Sequence, residues 1–270
     1  MPPLVRIEGI TFSYGQTVAL QDVTAVIPTG VTGLVGANGA GKTTLLRILL
    51  GILTPAAGVA SVLDVAVTSN PMPVRRRVGF MPETKCLPLD QSAADFVAYS
   101  AELAGLPVGM ARRRASDVLG LVGLDEERFR PISGFSTGMR QRAKLAQALV
   151  HDPELVFLDE PTAGLDPEGR EEMLDLIGRL SGFGVSVLVS SHVLTDIEQT
   201  CNWVVMLDGG RVLREGPIAG FERPDVVEIE VIGDPAAVAA ELEKSGLAVE
   251  VDGDRLTISG VDPFHAVRNA

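Results

Sequence analysis

The chain has 270 residues, 46% of them hydrophobic and 21% charged, an ordinary balance for one large or two modest globular domains. Its formal net charge of −12 argues against a nucleic-acid-binding protein, which needs a basic face to replace counterions. No apolar run reaches the ~18 residues of a membrane span, and the two cysteines, Cys86 and Cys201, match no metal-ligand spacing and are interpreted as reduced thiols of a cytosolic chain.

The first predicted elements are two strands. Residues 4–10 alternate apolar and polar side chains, which is typical of a half-buried strand, and residues 12–15 are expected to end it in a turn. A second strand over residues 19–27 leads through a proline and a glycine to an apolar run over residues 31–35. This third segment is predicted to be a buried strand that ends at a ligand site.

A glycine-rich segment follows that run and reads G-x-x-x-x-G-K-T, the phosphate-binding pattern called Walker A, before a helix predicted over residues 41–52. Glycines let successive backbone N–H groups point at an anion, and the helix adds the positive end of its dipole. Lys42 supplies a mobile charge for the β- and γ-phosphates, and the Thr43 hydroxyl is an expected Mg²⁺ ligand. A chance glycine-rich turn is the alternative. The predicted ATP-binding residues are Gly36, Ala37, Asn38, Gly39, Ala40, Gly41, Lys42, Thr43 and Thr44.

The middle of the chain changes from strands to helices. A strand over residues 58–63 and a short helix around residues 73–77 precede a strand over residues 78–81. Apolar residues then recur at helical spacing over residues 91–123. We therefore predict a helical insertion over about residues 88–150.

Two arginine clusters, at residues 75–77 and 112–114, flank the start of this helical segment. We interpret them as solvated helix faces. Contact with a partner or with anionic lipid headgroups is the alternative.

An apolar strand over residues 154–159 ends in the pair Asp159-Glu160, which reads as a Walker B site with an additional acid. Behind a phosphate loop, Asp159 is expected to hold Mg²⁺ directly or through water, and Glu160 to lie near the attacking water. A purely structural strand-end acid is the alternative. The next predicted elements are a helix over residues 168–181, a strand over 185–189 and a hairpin of 204–207 with 211–215.

Strands that alternate with helices imply a largely parallel sheet with ligands beyond its carboxyl edge. A linker at residues 221–225 ends this pattern. The elements predicted after it are a strand over 226–232, a helix over 235–245, strands over 248–251 and 256–258, and a second helix starting at 262–263. We therefore predict a main domain over residues 1–222 and a small accessory domain over 223–270 that looks truncated.

Residues 135–142, Phe-Ser-Thr-Gly-Met-Arg-Gln-Arg, precede a helix and resemble the signature motif of ATP-binding cassette (ABC) proteins, usually written L-S-G-G-Q. Ser136 and Gly138 match that motif, whereas Phe135, Thr137 and Met139 depart from it. An ordinary N-capped helix is the alternative. The position of this segment shortly before the Walker B strand favours the signature motif.

Three further positions match the cassette family. Asp166, in Ala-Gly-Leu-Asp, is similar to the D-loop, and His192 stands at the position of the switch histidine. Tyr14 stands where the family places an aromatic ring that stacks on adenine. The alternatives are a satisfied loop histidine and a core aromatic side chain. The resemblance covers residues 1 to about 220.

One departure from the family concerns the segment after the strand over residues 78–81. The family usually has a glutamine there that senses Mg²⁺ and the γ-phosphate, but this chain has Pro82-Glu83. Glu83 can ligate Mg²⁺ but cannot donate a hydrogen bond when it is ionised. The Pro-Glu variant and the C-terminal extension resemble the branch that serves ABC-2 type and drug-resistance exporters.

The resemblance implies an α/β fold of the P-loop NTPase cassette type, with a mostly parallel sheet, antiparallel β elements, a helical insertion and a small α+β C-terminal extension. It implies a Mg²⁺-dependent ATPase with Glu160 and His192 as catalytic residues, and Thr43, Glu83 and Asp159 at the metal. Such a subunit would energise export through a separate transmembrane permease, at the cytoplasmic face of the cell membrane.

The resemblance also implies a homodimer in the ATP-bound state. Two copies would close head to tail, with the Walker A loop of one copy facing Ser136 and Gly138 of the other. Two rival functions stay open. A soluble cassette ATPase acting on DNA or ribosomes is disfavoured by the single cassette and by the lack of heptads between Lys42 and Ser136. A membrane-bound regulator could use the same motor without transport.

Overall fold

Two sheets of different character form the first part of the chain in the computed structural model, which describes residues 3–67, 69–84, 86–220, 226–231, 234–244, 248–253 and 255–259. The chain separates into two units, Met1–Ile218 and Ala219–Ala270, and each is considered by itself. Among the described residues, none of the helices combines the length and the apolar character needed to cross a bilayer.

A four-stranded antiparallel sheet has the order β2-β1-β4-β5. Its strands are β1 (Val5–Tyr14), β2 (Thr17–Ile27), β4 (Ala57–Val62) and β5 (Val65–Ala66). The predicted turn over residues 12–15 is wrong, because Phe12 pairs with Leu20 and Tyr14 pairs with Thr17. Register shifts beyond Ile7 interrupt the alternation of apolar and polar residues without ending the strand.

A six-stranded sheet with the order β10-β9-β3-β8-β7-β6 forms the centre of this unit. Its strands are β3 (Val31–Val35), β6 (Val78–Met81), β7 (Leu155–Asp159), β8 (Ser186–Ser191), β9 (Trp203–Asp208) and β10 (Arg211–Pro217). Neighbouring strands are parallel except β10, which is antiparallel to β9. Strands β3, β7 and β8 are buried along their whole length, which agrees with their mostly apolar or small polar side chains. The predicted mostly parallel α/β fold with antiparallel elements is confirmed.

The carboxyl ends of β3, β8 and β7 lie side by side. Val35 is opposite Ser191, and Asp159 is opposite Ser190. On the far side of β7, Met81 of β6 is opposite Leu158. The loops that follow these four strands therefore leave the sheet along one edge.

Helices cover this sheet and build the insertion. They are α1 (Lys42–Leu49), α2 (Met72–Arg77), α3 (Ala93–Leu103), α4 (Val108–Leu121), α5 (Thr137–Leu149), α6 (Pro167–Gly182) and α7 (Leu194–Thr200), with short 3-10 turns at Glu127–Phe129, Ile132–Gly134 and Ile218–Gly220. Helices α3, α4 and α5 pack on one another, and in sequence they lie between β6 and β7, where the helical insertion is predicted. The sequence did not predict β5 or α7, which are both too short to show a clear period.

The arginine clusters bind protein groups rather than solvent alone. Arg75 donates to the carbonyls of Leu50 and Gly51, which follow the last residues of α1. Arg77 makes two hydrogen bonds to the carboxylate of Glu154, and Arg114 makes a 2.6 Å ion pair with Asp152. The interpretation as solvated helix faces therefore holds for Arg75, which is exposed, and is incomplete for Arg77 and Arg114, which are half-buried and form ion pairs.

The second unit contains an antiparallel sheet with the order β11-β13-β12 and one helix. Its elements are β11 (Val226–Glu230), α8 (Pro235–Lys244), β12 (Ala248–Asp252) and β13 (Arg255–Ser259). Asp234 accepts hydrogen bonds from two backbone N–H groups in the first turn of α8 and so caps that helix. The predicted linker at residues 221–225 and the predicted helix starting at 262–263 lie outside the described residues. The division into domains at residue 222 stays a prediction.

Candidate functional site

The loop between β3 and α1 requires glycine at two positions. A Cβ atom on Gly36 would lie 2.3 Å from the carbonyl oxygen of Leu207. Gly41 has φ +102°, and a Cβ atom there would lie 2.7 Å from the carbonyl oxygen of Ala19. A side chain at either position would collide with backbone, so the loop can take this path only without one. Gly41 is also the N-cap of α1, whose first-turn N–H groups face the loop.

Lys42 folds back over this loop. Its Nζ donates to the carbonyl of Gly36 at 2.6 Å and to that of Ala37 at 3.3 Å. The same nitrogen lies 3.2 Å from Oε1 of Glu160, and the two side chains are each only 7% exposed. The structure therefore holds a buried cation within the glycine-rich loop, directly beside the acid that follows β7.

Asp159 and Thr43 meet under the start of α1. The Thr43 hydroxyl donates to Oδ1 of Asp159 at 3.2 Å, and the Ser190 hydroxyl donates to the same oxygen at 2.7 Å. Asp159 is 1% exposed. A hydroxyl and a carboxylate are the hard oxygen donors that Mg²⁺ prefers, so the donor set fits this ion. The described residues contain no cluster of three or more His, Cys, Asp or Glu side chains that could hold a metal alone, so water or phosphate oxygens would have to complete the shell.

Glu160 connects the loop lysine to His192. Its Oε2 lies 2.8 Å from Nδ1 of His192, whereas Oε1 is buried and accepts no hydrogen bond from the described residues despite its contact with Lys42. The backbone of Glu160 has φ +50°, an uncommon value for a non-glycine residue, and its N–H donates to the Ser190 hydroxyl at 3.0 Å. Ser190 thus fixes Asp159 and Glu160 together, and it had no role in the sequence prediction.

Ser136, Gly138 and Asp166 lie in a separate hollow of about 520 Å³ that none of the Walker A residues lines. Ser136 is the N-cap of α5 and accepts a 3.2 Å hydrogen bond from the N–H of Met139. Asp166 is the N-cap of α6 and accepts a 3.1 Å hydrogen bond from the N–H of Gly169. Two helix N-termini therefore face one open concavity. Within one chain, the structure does not bring the signature residues to the phosphate loop.

Tyr14 is the last residue of β1 and remains 46% exposed. The edge-to-face contact of its ring is with Phe12, at 4.9 Å between centroids and 82° between planes. This arrangement fixes the ring through an apolar neighbour while much of its surface stays accessible. The position is compatible with the predicted adenine platform, which stays a prediction.

Lys144 is a residue that the sequence reasoning missed. It lies on α5, is 5% exposed, and donates from Nζ to the carbonyls of Pro82 at 2.8 Å and Glu83 at 3.1 Å. Burial lowers the pKa of this ammonium, against the opposing influence of Cys86, Glu83 and Asp159. The Glu83 side chain itself is exposed. The available signal was helical spacing, because Lys144 falls on the buried stripe of α5 between Gln141 and Ala148.

A second missed group holds the segment after Glu160. The buried carboxylate of Asp196 accepts from the Thr162 hydroxyl at 3.0 Å and from Nε of Arg170 at 2.7 Å. Gln141 of α5 donates to the carbonyl of Ala163 at 3.1 Å. The loop between β7 and α6 is therefore tied both to α7 and to the helix that begins at the signature segment.

Comparison with known proteins adds independent findings. The family model described as ABC transporter matches residues 20–163. Nod factor export ATP-binding protein I of Cupriavidus pinatubonensis is 34% identical over 79% of this chain, and the match spans 66% of that protein. Daunorubicin resistance ATP-binding protein DrrA3 of Streptomyces coeruleorubidus is 34% identical over 97% of this chain and 85% of that protein.

Two solved structures show the same fold. A structure of an ATP-binding subunit of an ABC transporter has a TM-score of 0.71 at 28% identity and covers 80% of this chain and 91% of that one. The dimeric post-hydrolysis structure of the ATP-binding cassette MJ0796, bound to ADP and Pi, has a TM-score of 0.72 at 25% identity and covers 80% of this chain and all of that one. In both comparisons the similarity covers 80% of this chain.

Proposed function

Because this chain belongs to the ABC transporter family, we propose that it is the ATP-binding and ATP-hydrolysing subunit of an exporter, acting with a separate transmembrane permease. Relatives named for export and for drug resistance support the direction of transport. In this proposal the subunit is held by the permease at the cytoplasmic face of the membrane. The Pro82-Glu83 variant agrees with the exporter branch.

The contact series Lys42–Glu160–His192 is the observation that carries the proposal. Lys42 brings a buried positive charge to the loop where the phosphates would lie. His192 orients the Glu160 carboxylate through Oε2, so Oε1 is left as a hydrogen-bond acceptor. A carboxylate held in this way can accept a proton from an attacking water and direct that water at the γ-phosphate.

Thr43 and Asp159 are the residues that would hold Mg²⁺, with Glu83 as a further oxygen donor on the neighbouring loop. When bound, the ion would neutralise charge that develops on the phosphoryl oxygens. Ser190 keeps Asp159 in place through its 2.7 Å hydrogen bond and holds the backbone of Glu160 as well. The same serine thereby aligns the metal-binding and base functions.

The proposal extends to a head-to-tail homodimer in the ATP-bound state. The hollow formed by Ser136, Gly138 and Asp166 offers two helix N-termini, which favour an anion such as the γ-phosphate of a second copy's ATP. The dimeric form of the related cassette MJ0796 supports the possibility of this assembly.

Phosphate release by the purified chain tests the catalytic part of the proposal. We expect release that requires both ATP and Mg²⁺, stops with a chelator, and is lost in Lys42→Ala together with most nucleotide affinity. Unchanged ATP binding by Lys42→Ala in calorimetry would contradict the assignment of the phosphate loop.

Co-expression with a multi-span membrane protein, if one is encoded beside this chain, tests the export part. A multi-span partner that copurifies with the chain and stimulates its ATPase activity is the expected result. Hydrolysis that the membrane protein does not affect, together with binding to ribosomes or DNA, would favour the alternative function, a soluble cassette ATPase acting on DNA or ribosomes.

A further inference from the structure

Lys144 is a buried ammonium that makes no ion pair within 4 Å in the described part of the chain. Removing a charge from water is expensive unless the group finds strong compensating partners. Lys144 finds two carbonyl oxygens, those of Pro82 and Glu83, at 2.8 and 3.1 Å. Two neutral carbonyl oxygens offset only part of the cost of desolvating the ammonium, so the contact does more than stabilise α5.

We propose that Lys144 is a positioning residue that holds the Pro82–Glu83 segment against α5 and so sets the place of Glu83 at the nucleotide site. This inference rests on the proposed function, because it assigns Glu83 to the site of ATP hydrolysis. Lys144 acts through the backbone of that segment, and its ammonium contacts no reacting atom.

The carbonyls of Pro82 and Glu83 lie where the chain leaves the edge of the sheet. The segment starts immediately after Met81, which is opposite Leu158 and therefore next to the strand end that carries Asp159. Beyond Met81 the chain leaves the sheet, and Glu83 and Thr84 are exposed. The two hydrogen bonds from Lys144 fix the backbone at the residues where the support of the sheet ends.

The donor of these two hydrogen bonds, Lys144, lies on α5, and this helix also contacts the loop after Glu160. That helix begins at Ser136, and its Gln141 holds the carbonyl of Ala163 in the loop after Glu160. Helix α5 thus donates hydrogen bonds to both loops, the one that follows β6 and the one that follows β7. A displacement of α5 would be transmitted to Glu83 through Lys144 and to the D-loop through Gln141.

The donor chemistry of Lys144 matches the two oxygen atoms that it contacts. An ammonium donates three hydrogen bonds and accepts none, so it suits a pair of carbonyl oxygens. An apolar side chain of similar length would fill the same space without holding the loop.

Lys144→Met tests the inference, because methionine keeps the apolar stem and removes only the donors. In the nucleotide-free protein, we expect faster amide hydrogen exchange in peptides covering residues 82–90 and unchanged exchange in the rest of α5. In steady-state ATPase assays, we expect kcat to fall by up to about 100-fold, the scale for a small misplacement of a group at the site, while KM for ATP changes less than about twofold.

Leu149→Val is the matched control, because it trims a buried side chain at the far end of the same helix. It should lower the thermal midpoint without a selective change at residues 82–90 or in kcat. Equal effects of both substitutions would reduce Lys144 to a packing residue and overturn the inference.

Glu83→Gln separates positioning from charge compensation, since it leaves the accepting backbone carbonyl in place. We expect Lys144→Met to lower kcat by the same factor with glutamate or with glutamine at position 83. Recovery of activity in the double variant would show that Lys144 only balances the Glu83 charge, which contradicts a positioning role. The exchange measurement needs no ATPase activity, so it tests the contact even where the wild-type chain fails to hydrolyse ATP.

Discussion

The phosphate-loop face and the signature face of this cassette are built in opposite ways. On the phosphate-loop face, Lys42, Asp159 and Glu160 are buried and contact one another or shared partners. On the signature face, Ser136 and Asp166 cap their own helices around an open hollow, and each makes its hydrogen bond within its own first turn. The side chains of the first face contact one another within one chain, whereas the second face leaves two helix N-termini open to solvent or to another molecule. This difference supports the proposed head-to-tail dimer, in which each face would meet the other face of a second copy.

Glu160→Gln is expected to have the largest effect and to separate the two faces. Glutamine retains the shape of the side chain but not the carboxylate that accepts a proton, so hydrolysis should fall about 10²–10⁴-fold. Mg·ATP should still bind through Lys42, Thr43 and Asp159. With ATP trapped, the variant should elute as a dimer in size-exclusion chromatography, and with ADP as a monomer.

A normal rate of hydrolysis in Glu160→Gln would show that Glu160 is only a structural strand-end acid. An inactive variant that stays monomeric with ATP at high protein concentration would mean that the signature face needs the membrane partner before it closes.

Tyr14→Ala tests how far the phosphate-loop face extends toward the base. Loss of a stacking ring should weaken ATP and ADP binding by about 1–3 kcal/mol. Inorganic triphosphate should bind as before, because it has no base. Equal losses of affinity for ATP and triphosphate in calorimetry would remove Tyr14 from the site.

Ser136→Ala tests whether the signature face does more than start a helix. Loss of an N-cap typically costs about 1 kcal/mol in stability. Ser92→Ala is the control, because Ser92 also caps a helix, α3, by accepting from the N–H of Asp95, and it lies outside the signature segment. Both variants should show similar thermal midpoints, but only Ser136→Ala should lower the rate of hydrolysis. Equal rates in the two variants would leave Ser136 with a capping role alone.

The exposed ion pair between Arg77 and Glu154 lies outside both faces and should show the smallest effect. Arg77 lowers the pKa of the Glu154 carboxyl from its ordinary value of 4.5. A group whose pKa is lower in the folded state stabilises the fold above its unfolded pKa, and this contribution disappears as the pH falls through the folded value. Glu154→Gln should therefore cost about 0.2–1 kcal/mol at pH 7 and nothing at strongly acidic pH. Urea unfolding at pH 7 and over a series of pH values falling into the strongly acidic range checks this, with a pH-independent loss as the contrary result.

The sequence predicts the sheet well and the side-chain contacts poorly, for physical reasons. The buried parallel strand β7 begins with four consecutive apolar residues, Leu155–Leu158. Gly36 and Gly41 stand where a Cβ atom would collide with backbone, so the Walker A pattern places glycine there. The turn after β1 was misplaced because register shifts disturb the alternation on which the prediction depends. The local sequence pattern is thus enough to predict the elements that bury a whole face.

Tertiary partners were not predictable in the same way. A lysine in a helix is normally solvated, and nothing local distinguishes Lys144 from Arg140 or Arg142 except its place on the buried stripe. Asp196 was missed because α7 is short and its partners, Thr162 and Arg170, are remote in sequence. Such contacts depend on how helices pack across the sheet, which a linear pattern does not contain.

The 3.2 Å contact between Lys42 and Glu160 has a consequence for the strength of nucleotide binding. Two anions compete for one ammonium, because a phosphate that pairs with Lys42 takes the place of the protein's own carboxylate. We therefore expect Glu160 to compete with nucleotide for Lys42 and so to weaken nucleotide binding. A non-hydrolysable ATP analogue should accordingly bind more tightly when Glu160 is replaced by glutamine, independently of any block in hydrolysis.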